Sequence, residues 1–149
     1  MFVFQIPPMR VRIKKLHPAA VIPRYAKNSD AGLDLVAVSE KRNTEERCWE
    51  YGTGLAIEIP EGYVGLIFPR SSICKQDLLL TNHVGVIDSG YRGEIRFKFK
   101  ELEHSGQRYY KNDKIGQLII VPYPQITFEE VNELSTTERG TGGFGSTGR

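Results

Sequence analysis

The chain lacks the features that mark several large classes of protein. Its 149 residues carry a formal net charge of only +2, and acids interrupt the basic residues, so no nucleic-acid partner is expected. No apolar run approaches the length of a membrane span, so no membrane partner is expected either. Residues 2–6 are apolar but follow no charged segment and run into two prolines, which is not the pattern of a signal peptide.

Cysteine is equally scarce, since Cys48 and Cys74 are the only two. Their spacing matches no metal site, and a disulfide framework would need more of them. We interpret both as small hydrophobic side chains in a reducing compartment. This predicts a cytoplasmic location, or a nuclear or organellar one in a eukaryote.

A sustained helical period is absent as well, and the best helix candidate covers one or two turns at residues 72–78. Alternation typical of strands dominates instead, as where Ile95, Phe97 and Phe99 alternate with basic residues. The apolar run at 118–121 predicts a strand buried on both faces. Further predicted strands lie at residues 11–13, 55–59 and 126–128.

The chain is long enough for one domain with a real core, and 40% of its residues are hydrophobic. Turn signals rich in glycine and proline separate the predicted strands, and the charged run at 41–47 predicts a solvated loop. These patterns predict an all-β sandwich or barrel whose loops carry the function. We place this single domain at residues 1–138.

Residues 139–149 follow it as a glycine-rich segment, the C-terminal arm. Clustered glycines let backbone N–H groups converge on an anion, and the arginines and hydroxyls of the arm suit phosphate. The lysine of a P-loop is missing, so an arm that binds phosphate must close as a flexible strap over a site built elsewhere. The alternative is a disordered tail.

Three internal segments carry candidate functional side chains. Arg70, Ser71 and Ser72 follow a predicted strand and suit phosphate, although either serine would also serve as a helix cap. Residues 81–94 predict a β-hairpin with Asp88 and Tyr91 on its turn, where Asp88 is either functional or a turn former. Asp34 lies in an apolar stretch, so it caps a turn or faces a metal or an arginine.

Together these segments resemble the trimeric dUTP diphosphatases (dUTPases), and the resemblance covers residues 11–149. The chain is similar to that family in five motifs, which occur in the family's order. They are AGLDL at 31–35, PRSS at 69–72, GVIDSGYRGE at 85–94, KIGQL at 114–118 and RGTGGFGSTG at 139–148. The fourth motif usually begins with arginine and has alanine before its glutamine, where this chain has Lys114 and Gly116.

The resemblance implies a distorted β-barrel or jelly-roll protomer in a homotrimer, with active sites shared between subunits. It implies hydrolysis of dUTP to dUMP and diphosphate, which keeps uracil out of DNA and supplies dUMP for thymidylate synthesis. The expected cofactor is Mg²⁺, held mainly by the substrate phosphates, with Asp34 contacting it through water. Asp88 is expected to activate the water that attacks the α-phosphorus.

The same resemblance implies the remaining site residues. Tyr91 is expected to pack under the deoxyribose and to exclude a 2′-hydroxyl. The residues expected to bind the phosphates are Arg70, Ser71, Ser72, Gln117, Arg139, Gly145, Ser146 and Thr147. Those expected to read or cover uracil are Asn82, Gly85, Val86, Ile87, the backbone of Arg96, and Phe144.

Two other functions fit a chain of this kind. Deamination of dCTP on a related fold needs a glutamate base and no water-positioning aspartate, whereas this chain has Asp88. A non-catalytic nucleotide-binding trimer is disfavoured because Asp34, Asp88, Gln117 and Arg139 are all kept.

Overall fold

The computed structural model describes residues 8–146 and residue 148, and its regular structure is almost entirely β-strand. The strands of the described chain are β1 (Arg12–Lys15), β2 (Leu33–Val36), β3 (Ser39–Asn43), β4 (Cys48–Gly52), β5 (Leu55–Glu58), β6 (Tyr63–Phe68), β7 (Leu78–Leu80), β8 (Gly85–Ile87), β9 (Arg96–Glu101) and β10 (Lys114–Pro122). A 3₁₀ turn at Ser71–Lys75 is the only helix in the described residues, close to where the sequence predicts one. None of the described residues forms a helix with the length and hydropathy of a bilayer span.

The strands form three antiparallel sheets. The first four-stranded sheet has the order β2-β10-β6-β8, the second has the order β3-β4-β9-β7, and β1 pairs with β5. The all-β prediction is confirmed, although the sheets of the described chain do not close into one barrel.

The hydrophobic core joins side chains from both four-stranded sheets. On β9, Phe97 and Phe99 are fully buried, while Arg96 and Lys100 on the opposite face are exposed. This is the alternation that a half-buried strand requires. Leu35 and Leu118 of the first sheet belong to the same buried cluster. In β10 the prediction of burial on both faces is only partly correct, because Leu118 is buried and residues 119–121 are half-buried.

The predicted hairpin at residues 81–94 is wrong. Its first strand, β8, pairs with β6 in one sheet, whereas the chain that follows enters β9 in the other sheet. A turn closed by the hydrogen bond from Tyr91 N to Asp88 O, 3.1 Å, links the two layers instead. Local turn chemistry was predicted correctly, but pairing depends on which sheet edge each strand reaches.

The predicted solvated loop at 41–47 is correct for the exposed turn at 44–47 and wrong for residues 41–43, which belong to β3. β3 pairs with β4 as a hairpin. Charged side chains near this hairpin contact groups on neighbouring segments of the chain. Arg42 donates to Glu101 at 2.7 Å, and the guanidinium of Arg108 lies 3.7 Å from the centre of the Trp49 ring. These contacts let a charged segment form strands without burying apolar side chains.

An exposed tail follows β10. No strand forms at 126–128 in the described chain, contrary to the prediction, and Phe128 is 94% exposed. Ile126 and Leu134 are also largely exposed. The predicted domain boundary at residue 138 stays a prediction, since the exposed tail already begins at Tyr123.

Candidate functional site

The register of β10 brings three of the sequence motifs together. Gln117 lies directly opposite Asp34 of β2 on one side and opposite Phe68 of β6 on the other. Side chains that are directly opposite in neighbouring strands share a face of the sheet. The first, second and fourth motifs therefore meet at one end of the β2-β10-β6 sheet, although more than 80 residues separate Asp34 from Gln117 in sequence.

Asp34 is the centre of a group that we call the polar cluster, formed by Asp34, Arg70, Lys114 and Gln117. Arg70 Nε donates to Asp34 Oδ1 at 2.9 Å, and Lys114 Nζ lies 3.0 Å from Asp34 Oδ2. Gln117 Nε2 donates to the carbonyl oxygen of Pro69 at 3.1 Å. The sequence predicts that Asp34 faces a metal or an arginine, and the structure shows that it faces Arg70. The cluster is left with two cations for one carboxylate, which suits an anionic ligand.

Lys114 reaches this cluster because β10 contains a bulge. Lys114 lies opposite Val36 and Gly116 opposite Leu35, so one extra residue is inserted between them. A bulge of this kind redirects the side chains beyond it. Here it puts Lys114 on the same face as Asp34. Sequence reasoning assigned no role to Lys114, and the only signal for one was its position at the start of the fourth motif.

Two glycines at this end of the sheet lie where an added side chain would clash. A Cβ added at Gly32 would lie 2.3 Å from Gln117 Oε1, so glycine lets the glutamine amide occupy this space. A Cβ added at Gly116 would lie 2.2 Å from the Phe97 ring and 2.8 Å from the Phe68 carbonyl oxygen. The glycine that replaces the family's alanine therefore follows from the position of Phe97 in this core.

The serines predicted to bind phosphate lie on the 3₁₀ turn beside Arg70. Ser71 is exposed, and Ser72 Oγ accepts a hydrogen bond from Arg70 Nη1 at 3.4 Å. Neither serine caps the turn, because residue 70 is in the cap position and no side chain makes a cap bond. The alternative role as a helix cap is therefore wrong, and both hydroxyls remain available near the cluster.

A buried tyrosine lies beneath this turn. Tyr109 is 4% exposed, and its hydroxyl has no hydrogen-bond partner among the described residues. Leaving such a group unpaired costs about 1–3 kcal/mol. Burial raises the pKa of the Tyr109 phenol. Sequence reasoning missed Tyr109 because an isolated tyrosine in an apolar context carries no motif.

Asp88 follows the end of β8 on an exposed turn. The hydrogen bonds and ion pairs of the described chain include none to its carboxylate. Tyr91, on the same turn, is 45% exposed, and its hydroxyl donates to the carbonyl oxygen of Glu94 at 3.1 Å. The Tyr91 ring lies over Gly93, where an added Cβ would be 2.4 Å from the tyrosine oxygen. Asp88 is therefore a free carboxylate next to a fixed aromatic ring.

The residues predicted to read a base lie around β8 and the start of β9. β8 is the edge strand of its sheet, so one side of the Gly85, Val86 and Ile87 backbone has no strand partner in the described chain. Asn82 is exposed just before this strand. Arg96 is held by Glu94 at 2.7 Å and by Glu50, and the hydrogen bond to Glu50 raises the pKa of its guanidinium. The Arg96 side chain is thus bound to two carboxylates, and the predicted contact of its backbone with a base stays a prediction.

Within one chain, Asp88 lies far from the polar cluster. Asp88 follows Ile87, which pairs with Gly65, whereas the cluster lies at the Phe68 end of β6. Neighbouring residues along a strand are about 3.3 Å apart, and neighbouring strands are about 4.8 Å apart. The Cα atoms of Asp88 and Asp34 are therefore separated by roughly 20 Å. A triphosphate chain is too short to bridge that distance. The two halves of the predicted site do not come together in a single subunit.

The C-terminal arm covers neither half. Phe144 is fully exposed, and Arg139 Nε donates to Gly142 O of the arm itself at 3.0 Å. Gly145 and Ser146 are exposed as well, and Thr147 lies outside the described residues. Each prediction for an arm residue therefore stays a prediction.

A polar cleft of about 400 Å³ opens beside the cluster, lined by Asp34 and Gln117 together with Arg24, Ser29 and Asp30. The described residues contain no group of three histidine, cysteine or carboxylate side chains placed to hold a metal ion. Asp34 uses one lone pair of each oxygen for its cations, and a carboxylate has about four acceptor positions. The remaining acceptor positions of Asp34 are therefore open to water molecules.

The chain is similar in sequence to a known family of proteins. The family model described as dUTPase matches residues 19–148. The deoxyuridine 5'-triphosphate nucleotidohydrolase of Clostridium acetobutylicum is 40% identical over 141 residues, which is 94% of this chain and 97% of that protein. The Nautilia profundicola protein of the same name is 42% identical over 144 residues, covering 95% of this chain and all of that protein.

Solved structures are similar over the same length. A variant of the Staphylococcus bacteriophage 80alpha dUTPase with dUpNHpp has a TM-score of 0.81 and 26% identity, covering 94% of this chain and 99% of that one. A variant of the dUTPase from phage phi11 of S. aureus, which has a structural Mg(II) ion, has a TM-score of 0.71 and 24% identity. It covers 84% of this chain and 98% of that one.

Proposed function

This chain belongs to the dUTPase family, and from that premise we propose how its residues divide the work of the reaction. The protein hydrolyses dUTP to dUMP and diphosphate, which keeps uracil out of DNA and supplies dUMP. The observation that supports our assignment most strongly is the convergence of Asp34, Arg70 and Gln117 through the register of β10.

We assign the triphosphate to the polar cluster and the 3₁₀ turn next to it. Arg70 presents a guanidinium whose planar donors match phosphate oxygens, and Lys114 adds a second charge. Asp34 holds both cations in place, so little side-chain freedom is lost when the phosphates bind. Ser71 and Ser72 add hydroxyl donors, and the Gln117 amide is fixed by the Pro69 carbonyl.

Asp88 orients the attacking water and takes its proton as the water adds to the α-phosphorus. The carboxylate has no competing partner in the described chain, so it is available to a water molecule. A carboxylate is a weak base, and for that reason positioning contributes as much as basicity. Diphosphate then leaves from the α-phosphorus, where its oxygens remain held by the cluster.

When bound, Mg²⁺ would offset the charge of the triphosphate, with Asp34 as the residue placed to contact it. Asp34 would contact the ion through water, using the lone pairs that its cations leave free.

Deoxyuridine binds at β8 and the turn that follows it. The free edge of β8 offers backbone donors and acceptors to uracil, with Asn82 beside it and the backbone of Arg96 nearby. Tyr91 packs under the sugar and leaves no room for a 2′-hydroxyl, because its ring is held over Gly93. Phe144 of the arm covers the base, and Arg139, Gly145, Ser146 and Thr147 close over the phosphates.

We propose that the protein works as a homotrimer with each active site shared between subunits. The separation of roughly 20 Å between Asp88 and Asp34 supports this, since a neighbouring subunit must bring the second half of the site. The exposed apolar side chains of Ile126, Phe128 and Leu134 also support assembly, because such surfaces are usually covered by a partner. The expected mass in solution is three times the 16.9 kDa of one chain. The cytoplasmic location stays a prediction. The interpretation of both cysteines as small hydrophobic side chains holds for the buried Cys48 but not for Cys74, which is exposed.

The test is diphosphate release from dUTP, compared with UTP, dTTP and dCTP at equal concentration. We expect rapid release from dUTP alone. UTP adds a 2′-hydroxyl, dTTP adds a methyl group, and dCTP has an amino group in place of an oxygen of the uracil ring, which leaves polar groups of the site unpaired. Comparable release from UTP would refute the role of Tyr91. Formation of dUTP from dCTP would instead identify the deaminase reaction.

A further inference from the structure

Residues 88–94, which we call the Asp88 loop, carry both Asp88 and Tyr91. In the described chain, the hydrogen bonds made by the first six of these residues all stay within the loop. Arg92 also forms an ion pair with Glu58 at 3.9 Å, and both side chains are exposed to solvent. An exposed pair of this kind contributes little to order. The position of the Tyr91 ring therefore depends on how the last residue of the loop is held.

That last residue, Glu94, is fixed through its carboxylate. Glu94 Oε1 accepts a hydrogen bond from Gly54 N at 2.8 Å, and Glu94 Oε2 accepts one from Arg96 Nε at 2.7 Å. The Glu94 side chain is only 18% exposed. A Cβ added at Gly52 would lie 2.5 Å from Glu94 Oε1, so a glycine at this position leaves room for the carboxylate beside the β4–β5 connection.

Gly54 gives the carboxylate a fixed point of attachment. It is buried between Thr53 and Leu55, which are fully buried, and its φ of +66° favours glycine. Its carbonyl oxygen accepts a hydrogen bond from Leu16 N at 2.7 Å. The hydrogen bonds of the described chain give the Gly54 N–H no acceptor except the Glu94 carboxylate. A buried N–H group needs an acceptor, so this bond ties the Asp88 loop to the core.

The backbone of Glu94 in turn holds Tyr91. The Tyr91 hydroxyl donates to the Glu94 carbonyl oxygen at 3.1 Å, which fixes the far end of the ring. Tyr91 is 45% exposed, so packing alone does not hold the ring in place. A ring that excludes a 2′-hydroxyl must keep its position, because a displaced ring would leave space for the extra oxygen.

We propose that Glu94 is a positioning residue for selection of the sugar: its carboxylate ties the Asp88 loop to Gly54, and its carbonyl oxygen fixes the Tyr91 ring under the deoxyribose. Glu94 itself touches no part of the nucleotide, and its effect on the sugar passes through Tyr91. This inference rests on the proposed role of Tyr91. It makes the ratio of kcat/KM for dUTP to kcat/KM for UTP, the selectivity ratio, depend on a bond beside the β4–β5 connection.

The test measures the selectivity ratio in variants of Glu94 and Tyr91. Glu94→Ala should lower the ratio about tenfold or more, as expected for loss of a hydrogen bond to a charged group. Glu94→Gln should keep the ratio within about threefold of the wild type, because its amide oxygen can still accept from Gly54 N. Tyr91→Phe keeps the ring and should lower the ratio about two- to tenfold. The double variant Glu94→Ala/Tyr91→Phe should lower it by less than the product of the two single effects.

Glu50→Ala is the matched control. The Glu50 side chain is 17% exposed and also binds Arg96, but in the described chain it makes no hydrogen bond to Gly54 or to the Asp88 loop. It should lower the melting temperature and leave the selectivity ratio unchanged. An equal fall of the ratio in Glu50→Ala and Glu94→Ala would overturn the proposal, and so would equal falls in Glu94→Gln and Glu94→Ala.

Tyr91→Ala separates failure of this proposal from failure of the proposed function. If Tyr91→Ala lowers the selectivity ratio while Glu94→Ala keeps the wild-type value, the role of Tyr91 stands and the positioning role of Glu94 is wrong. If Tyr91→Ala itself keeps the wild-type ratio, the role of Tyr91 is wrong, and the role of Glu94 is wrong with it. Should Glu94→Ala fail to fold, Tyr91→Phe decides, and a wild-type ratio in that variant refutes the positioning role.

Discussion

Truncation of the chain before Arg139 should abolish most of the activity while leaving the fold intact. The hydrogen bonds of the described arm all lie within residues 137–148, as between Gly140 N and Thr137 O at 3.1 Å. Phe144 is fully exposed and buries nothing against the body of its own chain. We therefore expect the free energy of unfolding to change by no more than about 0.5 kcal/mol.

The loss of activity follows from the contacts that the arm is proposed to make with the nucleotide. Stacking of one aromatic ring on a base contributes about 1–3 kcal/mol, and a charge-assisted hydrogen bond from Arg139 about 1.5–3 kcal/mol. Together these predict a fall in kcat/KM of roughly 10²- to 10⁴-fold. A truncated protein with wild-type kcat/KM would refute the strap and support a disordered tail.

Mixing two inactive proteins tests whether the arm acts on a neighbouring subunit. One partner is the truncation and the other is Asp88→Asn, and the subunits are exchanged at equal concentration. If the arm acts in trans, about a quarter of the sites regain both an intact Asp88 and an intact arm. If each arm serves its own subunit, no site regains both, and the activity remains the sum of the two inactive proteins. Each protein mixed with itself is the control.

The other predictions concern single residues. Asp88→Asn should lower kcat about 10²- to 10⁴-fold with little change in dUpNHpp affinity, and retention of a third of wild-type kcat would refute its role as base. Gly116→Ala should destabilise the fold by about 1–3 kcal/mol in chemical denaturation, because the methyl group meets the Phe97 ring. Gly90→Ala, at a site with open space, is its control, and equal stability of the two variants would contradict the clash. Backbone hydrogen bonds, above all from Glu103, lower the pKa of Asp77, so Asp77→Asn should lower the melting temperature most above the unfolded pKa of 3.8. The difference should shrink as the pH falls below that value, because the carboxylate is then neutralised, first in the unfolded chain and at lower pH in the folded one. A difference independent of pH would refute this account.

Much of the fold class and the chemistry was predictable from the sequence because both depend on local patterns. The alternation of Phe97 and Phe99 with basic residues predicts a half-buried strand wherever that strand pairs. The residue types of the motifs, such as Arg70 with two serines, indicate phosphate because their donors have the required charge and geometry.

The pairing of strands was not predictable in the same way, because it depends on contacts between residues far apart in the chain. The turn at Asp88 was recognised, yet β8 and β9 belong to different sheets, and the predicted hairpin was wrong. The charged strand β3 was also missed, since its cross-strand partners are invisible in the local sequence.

The amino-acid sequence by itself determined the all-β class, the family motifs and the residue types of the site. Only the tertiary structure decided how these residues are arranged. The register of β10 put Gln117 opposite Asp34, and the bulge turned Lys114 towards the same carboxylate. The sheet separated Asp88 from the polar cluster. The physical reason is that side-chain chemistry and strand period are local properties, whereas register, bulges and core contacts are set by packing across the whole chain.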